Sequence, residues 1–395
     1  MKYDLCIIGG FGHVGLPLSI LFASKGIKVC AYDISKDTEK VLSEGKMPFI
    51  EFGAEKYFPQ VLKDGNLHLS TSPDCISESR NVLITIGTPT DLHMSPEPVV
   101  EQLIEDYMKY FRDGQLIILR STVYPGTTER LSRIFEKKSV KADVAFCPER
   151  IAQGYAIKEL LELPHIISST SEEGISRAKE LFRVLNDDII VLKPIEAELA
   201  KLFTNAWRYI SFSTANQFFV IANDAGADFY KIYDAMAYKY PRIMGLPTPG
   251  FASGPCLFKD TVHLNAFSQH NFHVGNAAIL INEGMPTYVV DRLKLKHDLR
   301  NKRVGILGMA FKANIDDKRD SLSYKLFKLL EFEAKEVYCS DPYIKGEGFV
   351  SPEELLRKSD IIIVGTPHRE YANLKIDSSK DLVDVWNLYG KGCVL

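Results

Sequence analysis

Over the first ninety residues the apolar positions alternate between two periods. Leu5-Cys6-Ile7-Ile8 is a short unbroken apolar run, as in a strand buried on both faces, and residues 14–25 carry apolar side chains at helical spacing. Residues 28–33 predict a second strand, and the runs at 81–87 and 115–119 predict further strands of a buried parallel sheet. Strands alternating with helices predict a doubly wound α/β domain. The pattern changes near residue 196. No glycine or proline interrupts a helical stretch from 196 to 225, and a second stretch runs from about 260 to 271. At Lys302 the first rhythm returns, with strands expected at 303–308, 336–341 and 360–364. The return repeats the N-terminal order, down to Ile86-Gly87-Thr88-Pro89 against Val364-Gly365-Thr366-Pro367, which fits duplication of one architecture ahead of convergent strand chemistry. The expected fold class is α/β. Two doubly wound parallel-sheet domains, 1–195 and 297–395, are joined by a helical region, 196–296.

The turn after the first strand carries the first chemical signal. Gly10-Phe11-Gly12-His13-Val14-Gly15 leaves that strand and opens the helix. The first glycine permits a tight turn, the second lets backbone approach a pyrophosphate, and the third allows close helix–sheet packing. Asp33 ends the second strand 18 residues after Gly15. A carboxylate there accepts hydrogen bonds from a ribose diol and repels a 2′-phosphate, so NAD is expected rather than NADP. The plain alternative is a glycine-rich turn with a capping aspartate.

Composition narrows the class further. The 395 residues suit two or three domains, and 46% hydrophobic with 25% charged residues is a globular balance. Lys plus Arg number 48 against 51 Asp plus Glu, a net charge of −3, which argues against a nucleic-acid or membrane-surface partner. No apolar run approaches the ~18 residues of a membrane span. Met1-Lys2-Tyr3-Asp4 enters a strand without a signal-peptide layout, and seven cysteines with no C-x-x-C pair do not resemble a disulfide framework. A cytoplasmic protein with reduced thiols is expected.

The most unusual segment is Pro249-Gly250-Phe251-Ala252-Ser253-Gly254-Pro255-Cys256-Leu257-Phe258-Lys259-Asp260. A loop rich in glycine and proline delivers Cys256 to a predicted helix start. Amide N–H groups of the first turn, with Lys259 three residues on, would favour the thiolate, and Asp260 would share the face of Cys256. The other six cysteines read as small buried hydrophobes. On the middle helix Glu198, Lys201, Asn205 and Arg208 form a polar stripe among Leu199, Leu202, Phe203, Trp207 and Ile210. A solvated surface would explain it. So would an ammonium and an amide placed one turn apart for a developing oxyanion. His270 and His273 have metal-like spacing, but no cysteine or carboxylate set accompanies them, and no metal is expected.

Seven motifs then occur in one order. They are Gly10 to Leu18, Ser121-Thr122-Val123-Tyr124-Pro125-Gly126-Thr127, Cys147-Pro148-Glu149-Arg150, Lys201-x3-Asn205, Cys256-x2-Lys259-Asp260, Asn282-Glu283-Gly284-Met285-Pro286, and Gly308-Met309-Ala310-Phe311-Lys312 with Arg319. Together, over essentially the whole chain, they resemble the nucleotide-sugar 6-dehydrogenases of the UDP-glucose/GDP-mannose dehydrogenase family. The resemblance implies a Rossmann-like NAD domain, a central helical dimerisation region and a C-terminal UDP-sugar-binding domain. It implies a four-electron oxidation of a sugar C6 alcohol to the uronic acid, with Cys256 carrying thiohemiacetal and thioester. Thr122 and Asp260 would hold a water that helps remove the hydroxyl proton, Lys201 and Asn205 would steady oxyanions, and Glu149 would serve thioester hydrolysis as base or water-positioner. Cofactor contacts would come from Gly10, Gly12, His13, Val14, Gly15, Asp33, Thr88, Thr122, Lys259 and Arg319. Substrate contacts would come from Arg150, Lys201, Asn205, Arg208, Phe251 and Lys312, with Arg242 lent to the neighbouring subunit of a homodimer.

The sugar receives a divided vote. Pro148-Glu149-Arg150 and Asn205-x2-Arg208 resemble the N-acetylhexosamine branch, whereas Cys256-Leu257-Phe258-Lys259-Asp260 resembles the UDP-glucose branch. Ala252 to Pro255 stands where the family commonly has glycines followed by Ser or His. Gln153 stands where glucose-type enzymes usually carry Glu, and Gln217 follows Asn216 where Glu is common. Arg150 and Arg208 could offer forked donors to an amide carbonyl, which favours a UDP-N-acetylhexosamine over UDP-glucose. Rival readings are a two-electron dehydrogenase of the β-hydroxyacid type and a non-catalytic NAD or sugar-nucleotide sensor. Neither has a use for Cys256.

Overall fold

The computed structural model describes residues 1–88, 98–346 and 348–395. The chain divides into two compact units, Met1–Thr204 and Asn205–Leu395, and the division falls inside one long helix, Pro194–Asp224.

The first unit is built on an eight-stranded sheet. Its strands are β1 Tyr3–Ile8, β2 Val29–Tyr32, β3 Leu67–Ser70, β4 Ser79–Ile84, β5 Leu116–Leu119, β6 Asp143–Phe146, β7 His165–Ser169 and β8 Ile189–Val191. Their order is β3-β2-β1-β4-β5-β6-β7-β8. Apart from exposed Asp4, every residue of β1, β2 and β5 is buried, as their apolar runs require. Neighbours pair in parallel except β6 with β7, which run antiparallel with Ala145 opposite Ser169. The all-parallel sheet expected from the sequence thus reverses at its far edge. Antiparallel β7 brings its first residue, His165, to the same sheet end as the last residues of β6.

The second unit holds a four-stranded parallel sheet of order β10-β9-β11-β12, with β9 Arg303–Leu307, β10 Glu336–Ser340, β11 Ile361–Val364 and β12 Asp381–Val383. In both units the first strand lies between the second and the strand that ends in a Gly-Thr turn: β1 between β2 and β4, β9 between β10 and β11. The repeated Gly-Thr segments therefore occupy equivalent places. Pro89 of the first segment lies outside the described residues.

The helices account for the remaining differences. Pro194–Asp224 starts at a proline, which tolerates the first helical position, and ends before Gly226 at φ 68. The stretch expected at 260–271 is Leu257–Phe267; Gln269 and His270, at φ 53 and 64, cannot continue it. The run at 81–87 leaves the sheet after Ile84. A 24-residue helix, His273–Lys296, goes beyond the elements expected from periodicity, because Gly275, Gly284 and Pro286 interrupt its pattern. Within it Asn282 is buried. Its amide donates to Tyr209 O at 3.0 Å and accepts from Asn216 Nδ2 at 2.9 Å, tying this helix to Pro194–Asp224.

Candidate active site

The glycine turn fits NAD by its sterics. A Cβ on Gly15 would lie 2.2 Å from Gly9 O, and one on Gly10 would lie 2.8 Å from Ala31 Cα, so both glycines answer to close packing of helix and strands. Gly12 would meet only Gly9 O, at 3.4 Å. Its smallness answers to little in the protein and leaves room beside the turn for a pyrophosphate. Asp33 accepts the Phe11 N–H at 3.3 Å and the Ser35 N–H at 3.2 Å, so its carboxylate is fixed beside the turn. His13 stacks on Phe49 with ring centroids 4.1 Å apart. At the ends of β4 and β5 the Thr88 hydroxyl donates to Thr122 O at 2.7 Å, which brings these two together. The crevice beside β1, where the chain order reverses, is where a doubly wound sheet binds its nucleotide.

Glu149 follows β6 and is buried. Its Oε1 accepts the N–H groups of Arg150 and Ile151 at 2.6 and 2.8 Å, and its Oε2 accepts Arg120 Nη2 at 2.5 Å. Sequence reasoning missed Arg120. A single arginine after an apolar strand has no local pattern that would announce it. The Arg150 guanidinium donates to Pro164 O, so part of its fork is already engaged.

The polar stripe on Pro194–Asp224 is not a solvated face. Glu198, Lys201 and Asn205 are buried, while Phe203 and Trp207 are 54% and 68% exposed. Arg208 departs from the stripe and is exposed. Glu198 serves a different end from its neighbours. Its carboxylate accepts the N–H groups of Gly126 and Thr128 and the Thr128 hydroxyl, capping the Thr127–Lys137 helix. Lys201 and Asn205 are one turn apart, as their spacing requires.

In the second unit Cys256 occupies the cap position of Leu257–Phe267 and is exposed, the only one of the seven cysteines that is. Asp260 is fully buried one turn on. Its Oδ2 accepts Asn205 Nδ2 at 2.6 Å, and its Oδ1 lies 3.3 Å from Lys259 Nζ. The loop before Cys256 is held from several sides. Asn216 Oδ1 accepts the Gly250 N–H at 2.8 Å, and Asp320 O accepts the Gly254 N–H at 3.3 Å. Gly254 sits at φ 106, and a Cβ there would lie 2.4 Å from the Phe311 ring, so this glycine of the departing loop is obligatory. Phe251 is buried in the core with Met285 and Val289. Arg319 is bound by Asp317 through three hydrogen bonds, whose charge raises its pKa further; Cys256 lies near enough to add to that effect. Lys312 is half-buried in the segment after β9.

Two further segments stand apart. Arg242 is exposed in a short turn, its guanidinium 5.5 Å from the Tyr240 ring centre. His270 pairs with Asn265 at 3.1 Å, and among the described residues no group of three metal-ligating side chains occurs. No helix among the described residues is long and apolar enough to cross a membrane.

Residues 3–186 match the NAD binding domain of the UDP-glucose/GDP-mannose dehydrogenase family, 195–284 its central domain and 305–391 its UDP binding domain. The chain belongs to this family. It is an NAD-dependent UDP-sugar dehydrogenase, an oxidoreductase. It is similar to a UDP-N-acetyl-D-mannosamine dehydrogenase of Pyrococcus horikoshii, 30% identical over 381 residues that cover 93% of this chain and 90% of the relative. The solved structure of a UDP-D-ManNAc dehydrogenase from Pyrococcus horikoshii matches with a TM-score of 0.91 at 29% identity, covering 99% and 97% of the two chains. That of a UDP-glucose dehydrogenase from Pyrobaculum islandicum matches with a TM-score of 0.89 at 27% identity, covering 97% and 94%.

Proposed function

We propose that this chain oxidises the C6 alcohol of a UDP-N-acetylhexosamine, with UDP-N-acetyl-D-mannosamine the first candidate, to the uronic acid. The observation that carries the chemistry is Cys256, exposed at a helix N-terminus one turn from a buried aspartate that accepts from Asn205. Full-length similarity to a mannosamine enzyme supports the sugar.

Bound NAD supplies the oxidising capacity, two equivalents for each sugar. In this reading Gly10, Gly12, His13, Val14, Gly15, Asp33, Thr88, Thr122, Lys259 and Arg319 hold it. Thr122 and Asp260 hold a water that takes the proton of the C6 hydroxyl. The Cys256 thiolate adds to the aldehyde carbon, and the new C–S bond keeps the aldehyde from leaving. Lys201 and Asn205 steady the oxygen as it gains charge. Once the carbon is a thioester, water positioned by Glu149 adds to it; the C–S bond breaks, the thiol is regenerated and the carboxylate departs. Arg150, Arg208, Phe251 and Lys312 contact the substrate.

The same reading divides the chain into an NAD domain at 1–195, a central domain at 196–296 and a UDP-sugar domain at 297–395. It places the protein in the cytoplasm, where a thiol nucleophile stays reduced. It makes the protein a homodimer with Arg242 acting across subunits.

UDP-glucose is the second reading. Cys256-Leu257-Phe258-Lys259-Asp260 and the likeness to the Pyrobaculum islandicum structure favour it. The test is NADH formation with UDP-N-acetylmannosamine, UDP-N-acetylglucosamine, UDP-glucose and GDP-mannose. Turnover of the N-acetylated sugars with about two NADH per acid is expected, and Cys256→Ala should bind NAD yet form no acid. Fast turnover of UDP-glucose alone would refute the amide argument. Activity with none would favour the sensor.

A further inference from the structure

Among the described residues Arg120 is the largest fully buried side chain, and it is charged. It follows β5 directly, opposite Cys147 in the register that pairs Leu119 with Phe146. Its Nη1 donates to Cys147 O at 3.0 Å, its Nη2 meets Glu149 Oε2 at 2.5 Å, and its guanidinium carbon lies 4.9 Å from the centre of the Phe182 ring. Arg120 and Glu149 line a small cleft with Arg150, Glu159, Pro164 and His165.

A purely structural arginine would be poorly used here. Replacing a buried ion pair by apolar groups is often neutral for stability, so the pair is no explanation of itself. Nor is this arginine fully satisfied, because Arg120 Nε has no hydrogen-bond partner among the described residues. His165 Nε2, on β7, also has none. Burial first, then Arg120 and Arg150, hold the pKa of His165 down at about 3, so His165 adds no charge near neutral pH. Arg120 is therefore the cation set directly on Glu149. Glu159 accepts the Ala152 N–H, and Arg150 is turned to Pro164 O.

We infer that Arg120 is the positioning residue for Glu149. It fixes Oε2, while the backbone of Arg150 and Ile151 fixes Oε1, so the carboxylate has one orientation. The inference rests on the reading of Glu149 as the group that serves thioester hydrolysis. Its reach is the hydrolytic half of the reaction: a loosened Glu149 would slow release of the acid and leave NAD binding untouched.

The test is a double-mutant cycle with Arg120→Met, Arg120→Lys and Glu149→Gln, followed by kcat, its pH profile and the affinity for NAD. Arg120→Met should lower kcat on the order of 100-fold, the scale of a lost acid–base contribution, and change the pH profile of kcat. Arg120→Lys should restore part of kcat. NAD affinity should stay at the wild-type value, which also reports that the variants fold. In the Glu149→Gln background Arg120→Met should add little further loss, since the group it positions is gone. Fully multiplicative losses, or an unshifted pH profile in Arg120→Met, would overturn the role of Arg120. A Glu149→Gln enzyme with wild-type kcat would instead overturn the reading of Glu149 itself.

Discussion

Burial pushes the thiols of Cys147, Cys339 and Cys393 up to about 12, whereas Cys256 reaches solvent from the end of a helix. That contrast is legible in the sequence, because a loop rich in glycine and proline ahead of a helix start is a local pattern. Glu51 has no such pattern. It is buried, accepts the Ile157 N–H at 3.1 Å, and is pushed up to about 7 by burial against the lowering effect of the backbone N–H groups it faces. Phe52 N–H donates to Gly154 O beside it, and Phe49 of the same segment stacks on His13. The segment thus links the nucleotide turn to the residues after Glu149. A carboxyl raised above its ordinary 4.5 stabilises the fold fully below that value, and the contribution fades as pH rises through about 7. Wild-type protein should lose melting temperature between pH 5 and 8 relative to Glu51→Gln, by an amount corresponding to about 3 kcal/mol. Gln keeps the acceptor for Ile157 without the charge. Parallel melting curves over that pH range would show that Glu51 does not titrate there.

At the scale of elements, Glu198 caps a helix that is remote in sequence. The Thr127–Lys137 helix begins after Gly126 at φ 87, a glycine without a side chain to cap it, and the Glu198 carboxylate takes that place. Removing it in Glu198→Ala takes the acceptor from the buried Thr128 N–H and from the half-buried Gly126 N–H, so urea unfolding should show a loss of roughly 1–3 kcal/mol. Glu198→Gln keeps an acceptor and should lose less. Equal stability of wild type and Glu198→Ala would mean that water replaces the cap. The sequence puts Glu198 in a stripe with Lys201 and Asn205 but cannot separate cap from site, because spacing shows which residues share a face and not what covers it. For the same reason it leaves open a solvated face, where the structure buries Glu198, Lys201 and Asn205 and exposes Phe203 and Trp207. Most strands can be read because each is a continuous apolar run. The reversal at β7 cannot, since an antiparallel strand buried on both faces has the same run. Helix His273–Lys296 is hidden by its own glycines and by Pro286; it is secured by Asn282 side-chain bonds that leave no trace in periodicity.

On the whole molecule, one surface supports the proposed homodimer. Phe203, Trp207, Phe218 and Ile221 are spaced by three, four or eleven positions along Pro194–Asp224, so they share one side of it. They are 54%, 68%, 40% and 56% exposed, an apolar stripe rather than scattered single residues. A long helix that turns Glu198, Lys201 and Asn205 inward and these apolar side chains outward suits a twofold interface, where the same patch meets itself. Sedimentation should therefore show a dimer, and Trp207→Glu with Ile221→Glu should shift it towards monomer. Arg242, exposed among Tyr238, Tyr240 and Met244, adds a sharper test. If it completes the partner's sugar site, Arg242→Ala and Cys256→Ala homodimers are both inactive for different reasons. Mixed and allowed to exchange, half the dimers become heterodimers. In each, the chain with Arg242→Ala keeps its own Cys256 and receives an intact Arg242 from the other. One site in two is repaired in half of the dimers, so activity should recover to about a quarter of wild type. Mixtures that exchange subunits yet stay inactive would show that Arg242 does not act across the interface, and a fully active monomer would remove the need for the interface altogether.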